Sequence, residues 1–123
     1  MNVWFLIAGL NGALAVAAGA FAAHGLQNRI DAHALSVFET GARYHMYHAL
    51  AIGLAALAMR GTAAQSAQYA ALFFLAGILL FSGSLYVLAL TGLREAAFVT
   101  PFGGVAFLIG WIMLGYAGTK LAP

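Results

Sequence analysis

The charges of this chain are placed so unevenly that they decide its class of fold. There are five Lys or Arg and three Asp or Glu, and four long stretches hold none of them: Met1–Asn28, Tyr44–Met59, Gly61–Leu93 and Ala96–Thr119. A bilayer has a hydrocarbon core of about 30 Å, which a helix of roughly 20 apolar residues crosses. In that core every backbone N–H and C=O needs a partner, and a helix supplies them all within one segment. The uncharged runs therefore predict four membrane spans, near residues 3–23, 42–59, 68–91 and 101–118. Composition supports this reading. Hydrophobic residues make up 64% of the 123, charged residues 7%, and the mean hydropathy is +0.95. A soluble domain is about 25% charged, so this chain has too few polar groups to cover a globular surface in water. One domain, 1–123, accounts for the length.

Local signals refine the spans. Gly92 follows Thr91 where a helix end favours a left-handed residue. Thr100 is positioned to cap the fourth span, and Pro101 sits in the first turn, where its missing N–H costs nothing. The run Gly61-Thr62-Ala63-Ala64-Gln65-Ser66 reads as a polar turn before the third span. Between the first two spans, Asp31 can cap a short helix over residues 31–40, with Leu35 and Phe38 on one side and Ser36 and Glu39 on another. Ten residues cannot cross a bilayer, so this helix is expected to lie in the membrane interface. Ala20-Phe21-Ala22 resembles a signal-peptide cleavage site. Met1–Trp4 has no Lys or Arg, however, so the first span is expected to stay as a helix. The expected fold is an all-α membrane protein: a four-helix transmembrane bundle with a short interfacial helix between the first two spans.

Small residues give such helices close backbone approach, which matters because burial alone drives nothing together in lipid. Ala8, Gly12, Ala15, Gly19 and Ala23 in the first span, Ala49 and Gly53 in the second, and the stripe Gly103, Ala106, Gly110 in the fourth are expected to pack within the molecule. Asn11 falls at mid-membrane and needs a partner. Ser82, Ser84 and Tyr86 of the third span are the candidates.

Short loops make the spans alternate, so His24, Glu39, Arg43, Tyr44, His45, His48, Arg94 and Glu95 are expected to gather at one membrane face as a polar cluster. Glu39 and Arg43 are four apart with the acid first, the favourable order on a helix, so Arg43 is expected to pair with Glu39 or Glu95. His45 and His48, three apart, are expected to face one pocket, and Tyr44 and Tyr47 suit an interfacial aromatic belt. Functions weighed for the cluster are a proton relay, a metal site that adds a histidine from the first span, and hydrolysis. No HExxH is present, and Ser82 and Ser84 lie in FSGSLY without a GxSxG. A hydrogen-bonded cap tying helix ends together outweighs all three. No catalytic residue, metal ligand set or cofactor is assigned. Cysteine is absent, which excludes disulfides and thiolate ligands. A formal charge of +2 leaves no nucleic-acid footprint.

Four stretches carry a family resemblance: GAFAAHGL at 19–26, FETGARYHMYHAL at 38–50, LAGILLFSGSLYVLALTG at 75–92 and TPFGGVAFLIGWIML at 100–114. Together they resemble the small bacterial membrane proteins of domain of unknown function 423, related to eukaryotic transmembrane protein 256. The family pattern has Gly where Ala22 stands and commonly Gln where His45 stands, while His24, Tyr44 and His48 fit it. The resemblance implies a multi-pass protein of the bacterial inner (plasma) membrane and supplies no activity. The expected function is non-enzymatic: binding or passing a small solute or lipid at the polar end. The alternative is a structural or assembly subunit of a larger membrane complex, and a membrane-embedded enzyme or metal-binding protein comes third. Expected partners are membrane lipids and either further copies of the chain or another membrane protein. A water-filled cavity from His48 toward Asn11 would favour passage, and a sealed bundle the subunit.

Overall fold

The computed structural model describes residues 2–122. Four long helices follow one another. Helix α1 spans Val3–Phe21 and runs on through a π turn at Ala22–Leu26. Helix α2 spans Ala32–Leu57, α3 spans Gly61–Thr91, and α4 spans Thr100–Gly118. Three segments, Val3–Leu26, Gly61–Thr91 and Arg94–Gly118, are long and apolar enough to cross a membrane.

The ends are set by local chemistry. The Asn2 side chain accepts from the Trp4 N–H and donates to the Ala56 carbonyl, fastening the start of α1 to the end of α2. Asp31 caps α2 through the Ala34 N–H at 2.7 Å. Gly92 ends α3 in the left-handed region at φ 71°, as its place in the sequence predicts. Thr100 does not act as a cap. It lies inside the first turn of α4, and its hydroxyl bonds to Ser84 of α3. The polar turn expected at 61–66 is shorter than foreseen. Gly61, at φ 54°, makes the turn, and the chain is helical from there because the alanines that follow pack at once. Ala63 and Ala67 are fully buried in a cluster with Ala58 and Ala117.

The separate interfacial helix is not found. Residues 32–40 are the opening turns of α2, continuous with the rest. Two causes are visible. No proline interrupts 32–57, and Phe38 is buried against Ala22, Leu26 and Ala89, which holds this part of α2 on the bundle.

Helix α2 packs against α1 on one side and α3 on another, and α4 packs along α3. The main core is Ile52, Ala51 and Ala55 of α2 against Ala70, Ala71 and Phe74 of α3, closed by Trp4 and Phe107. Close approach uses some of the expected small residues. A Cβ on Gly103 would come 2.3 Å from the Phe81 nitrogen, and one on Gly110 2.6 Å from the Phe74 ring. Gly12 and Gly19 have open space, and Ala8 and Ala15 carry the α1 contacts instead. Large apolar side chains cover the outside: Leu10, Leu14, Leu50, Phe102 and Ile112 are all exposed. So much exposed apolar surface needs lipid around it.

Candidate functional site

Because α2 begins at Ala32, His45 and His48 lie about 20 Å down its axis, near its middle. They are buried, and they face different neighbours. Three residues along an α-helix turn the side chain by about 300°, so the two rings diverge by about 60°.

His45 faces α1 and α3. Its Nδ1 is 2.9 Å from the Tyr86 hydroxyl and its Nε2 is 3.0 Å from Asn11 Oδ1. The Asn11 amide donates to the Ile7 carbonyl at 2.9 Å, which turns Oδ1 toward the imidazole. A carbonyl oxygen only accepts, so the ring donates through Nε2 and, when neutral, accepts the Tyr86 proton at Nδ1. Asn11 thus meets its partner on α2. Tyr86 joins through the histidine, while Ser82 and Ser84 do not take part. Ser84 bonds to the Phe81 carbonyl and to Thr100. Ser82 is fully buried, and its hydroxyl has no hydrogen-bond partner among the described residues. Across the π turn at 78–82 the Ile78 carbonyl takes the Gly83 N–H, in the place where serine often bonds back to the carbonyl four residues earlier.

His48 faces α4. Its Nδ1–H donates to the Tyr44 carbonyl at 2.7 Å, and its Nε2 accepts from the Trp111 indole at 3.1 Å. The ring lies flat on Phe107, with centroids 3.5 Å apart and planes 7° apart. Both nitrogens are engaged. Binding a metal or taking a proton there would break a bond that positions Trp111.

These bonds frame a cavity of about 340 Å³ between α2 and α4. Tyr44 and Tyr47 stand on the α2 side, Phe107 and Trp111 on the α4 side, and Phe81 of α3 meets Tyr44 at 4.9 Å between centroids. Gly104 and the exposed Leu108 border it. Neither tyrosine hydroxyl has a hydrogen-bond partner among the described residues.

The remaining predicted residues do not converge. His24 is exposed on the π turn that ends α1. Arg94 borders a cleft with Asp31 and His33, and Glu95 lies on a neighbouring surface. Glu39 and Arg43 are exposed beside Ala15 and Gly19 of α1. The expected ion pair is absent: among the described residues no cationic nitrogen lies within 4.0 Å of a carboxylate oxygen. Arg43 bonds instead to the Thr40 hydroxyl at 3.3 Å, one turn nearer the start of α2. The one-ended cluster therefore separates into helix-end charges and two mid-helix histidine sites. The sequence did not single out Phe81, Phe107 or Trp111, since rings in apolar helices look the same whether they face lipid, core or cavity.

Comparison with known proteins places these features in a wider set. Residues 18–104 match the family model described as protein of unknown function, DUF423. The chain is 46% identical over 121 residues to the UPF0382 membrane protein YwdK of Bacillus subtilis (strain 168), covering 98% of each chain. It is 45% identical over 122 residues to the UPF0382 membrane protein SAB0533 of Staphylococcus aureus (strain bovine RF122 / ET3-1), covering 99% of each. A UPF0382 membrane protein of Haemophilus influenzae is 44% identical over 122 residues, covering 97% of this chain and 95% of that one. No solved structure matches.

Proposed function

Since the chain belongs to the DUF423 family of membrane proteins, whose description assigns no activity, we propose a function from its own geometry: a non-enzymatic, four-span protein of the bacterial plasma membrane that takes a small lipid-soluble ligand from the bilayer into the α2–α4 cleft. The observation that carries this reading is the 340 Å³ cavity beside His48. Its volume falls at the low end of the range for small-molecule sites, about 300–1,000 Å³. Its exposed lining residues Leu108 and Trp111 favour entry sideways from lipid. Helix α2 is the fourth span in this reading, because its polar groups are matched inside the protein rather than turned to lipid.

Binding is favoured over passage by the separation of the two histidine sites. His45 and His48 use their nitrogens on different neighbours, and the α2–α4 cavity is lined by His48 and not by Asn11. The assembly-subunit reading keeps one observation in its favour. A cavity of about 360 Å³ between α1 and α2 is bordered by Gly9, Gly12 and Gly53, and the first two have open space around them. One extraction separates the readings. The protein is taken from native membrane into polymer-bounded lipid discs, and its contents are weighed by native mass spectrometry. Binding predicts one small lipid-soluble molecule per chain, depleted in Gly104→Leu. A stoichiometric protein partner without such a molecule would instead support the subunit. Bulk lipid alone, equal in both forms, would sink the binding reading.

A further inference from the structure

The α2–α4 cavity has a lining that selects among lipid-soluble molecules. Its walls are flat. His48 is held on Phe107 by two hydrogen bonds and a stack, so that wall is rigid. Phe81 is tilted against both Tyr44 and Phe107, with centroids 4.9 and 5.4 Å apart, and Tyr44 lies nearly parallel to Phe107 at 6.4 Å. Aromatic faces and edges attract other rings in offset and edge-on geometries beyond plain burial. An acyl chain would gain nothing from that geometry over a leucine-lined groove.

A second observation is polar. The hydroxyls of Tyr44 and Tyr47 lie in the middle third of α2, and no protein acceptor among the described residues meets either one. Both side chains line the cavity and are exposed, so their hydroxyls are free to donate, and a ligand carrying acceptor oxygens on its ring would match them. The locked imidazole supplies no third donor, and no basic side chain lines the cavity. An anionic headgroup is therefore disfavoured.

We propose that the cavity binds a planar six-membered ring with carbonyl or ether oxygens on its edge and an apolar tail, the chemistry of a prenylated or alkylated quinone, with the ring between Tyr44, Phe81 and Trp111 and the tail leaving past Leu108 into lipid. This rests on the binding reading above and names its ligand class. The step is binding alone, with no electron transferred.

The chain has two tryptophans, which makes the test direct. Trp4 lies in the main core near the start of α1, and Trp111 is a wall of the cavity. In a Trp4→Phe background, Trp111 fluorescence is followed in detergent micelles as a 1,4-benzoquinone with a ten-carbon tail is added. The expected result is saturable quenching at one equivalent per chain. Collisional quenching in the micelle is linear and serves as baseline. Gly104→Leu is the blocking variant. A Cβ there meets only the Phe81 ring edge, at 4.0 Å, so the fold is retained while the longer side chain fills the cavity. It is expected to weaken binding at least tenfold with an unchanged melting temperature. Leu108→Phe, at the exposed rim, is the second blocking variant should Gly104→Leu melt early. Tyr44→Phe combined with Tyr47→Phe is expected to weaken binding about threefold to tenfold, the size of one or two neutral hydrogen bonds. A cyclohexane with the same tail is the competitor. If it displaces the quinone with equal affinity, the site is for chains, and the ring class fails while binding stands. Unchanged affinity in both blocking variants removes the ring from the cavity and overturns the proposal. If neither compound binds saturably, the binding reading fails with it.

Discussion

Neutral imidazole donates once and accepts once, and a primary carboxamide can do the same. At His45 the donor goes to Asn11 and the acceptor receives from Tyr86. His45→Gln is therefore expected to hold stability within about 0.5 kcal/mol. His45→Leu removes both bonds and strands the Asn11 carbonyl and the Tyr86 hydroxyl. Membrane hydrogen bonds average about 0.6 kcal/mol each and an unmatched buried group costs about 1–3 kcal/mol, so the leucine variant should lose roughly 1–3 kcal/mol. Thermal unfolding of the three forms in one detergent checks this, and equal losses for Gln and Leu would show that shape rather than hydrogen bonding holds the site. At this scale the sequence reveals the polar residues but not their roles. Asn11, His45 and His48 stand out because they interrupt apolar runs. Arg43 stands out as well, yet its partner is Thr40 rather than the acid four residues before it. Spacing on a helix shows only which groups can meet.

A helix in lipid is held by how closely its backbone can approach a neighbour, and in α4 that property changes between adjacent residues. A Cβ at Gly103 would sit 2.3 Å from the Phe81 nitrogen and 2.7 Å from the Leu80 carbonyl carbon. Backbone cannot swing aside as a side chain can. Gly104, next in the chain, has only the Phe81 ring edge at 4.0 Å. Gly103→Ala should therefore destabilise by about 1–3 kcal/mol, the usual cost of overpacking, while Gly104→Ala should be neutral or slightly stabilising, since alanine favours a helix over glycine by about 1 kcal/mol. Melting temperatures of the two single variants decide the point, and similar losses would mean that α3 and α4 are not in backbone contact at Phe81. The sequence separates these two glycines only through the stripe Gly103, Ala106, Gly110, whose members are all buried. It did not foresee the length of α2. Interfacial placement of 31–40 followed from polarity along one strip of chain. Phe38 finding Ala22, Leu26 and Ala89 is a contact between distant segments.

Three helices qualify as spans by length and apolarity, so the path of α2 determines the topology of the whole molecule. With α2 as a span, the chain crosses four times and both of its ends lie on one side. The chain has no cysteine, so single cysteines report cleanly. Arg29→Cys and Arg94→Cys should react with an impermeant maleimide from one side of the membrane, and Arg60→Cys and Lys120→Cys from the other. Arg29 and Arg94 on the first side balance Arg60 and Lys120 on the other, because Arg43 lies inside α2, so the basic residues of the loops set no orientation and the labelling decides it. Labelling of Arg29→Cys and Arg60→Cys from the same side would remove α2 from the membrane. What the sequence determined alone is the solvent and the class of element: its charge-free runs admit only helices in lipid, because only there are backbone groups satisfied without water. It also determined the helix ends at Asp31 and Gly92, where one side chain or one backbone angle suffices. The tertiary structure decided which face of α2 each histidine occupies, and that Phe81, Phe107 and Trp111 line one cavity with His48. The physical reason is that lipid tails and protein interiors are equally apolar. Hydrophobic pattern marks inside from outside in water, but in a bilayer that contrast vanishes, and only the packing of one helix on another tells a wall of a site from a surface.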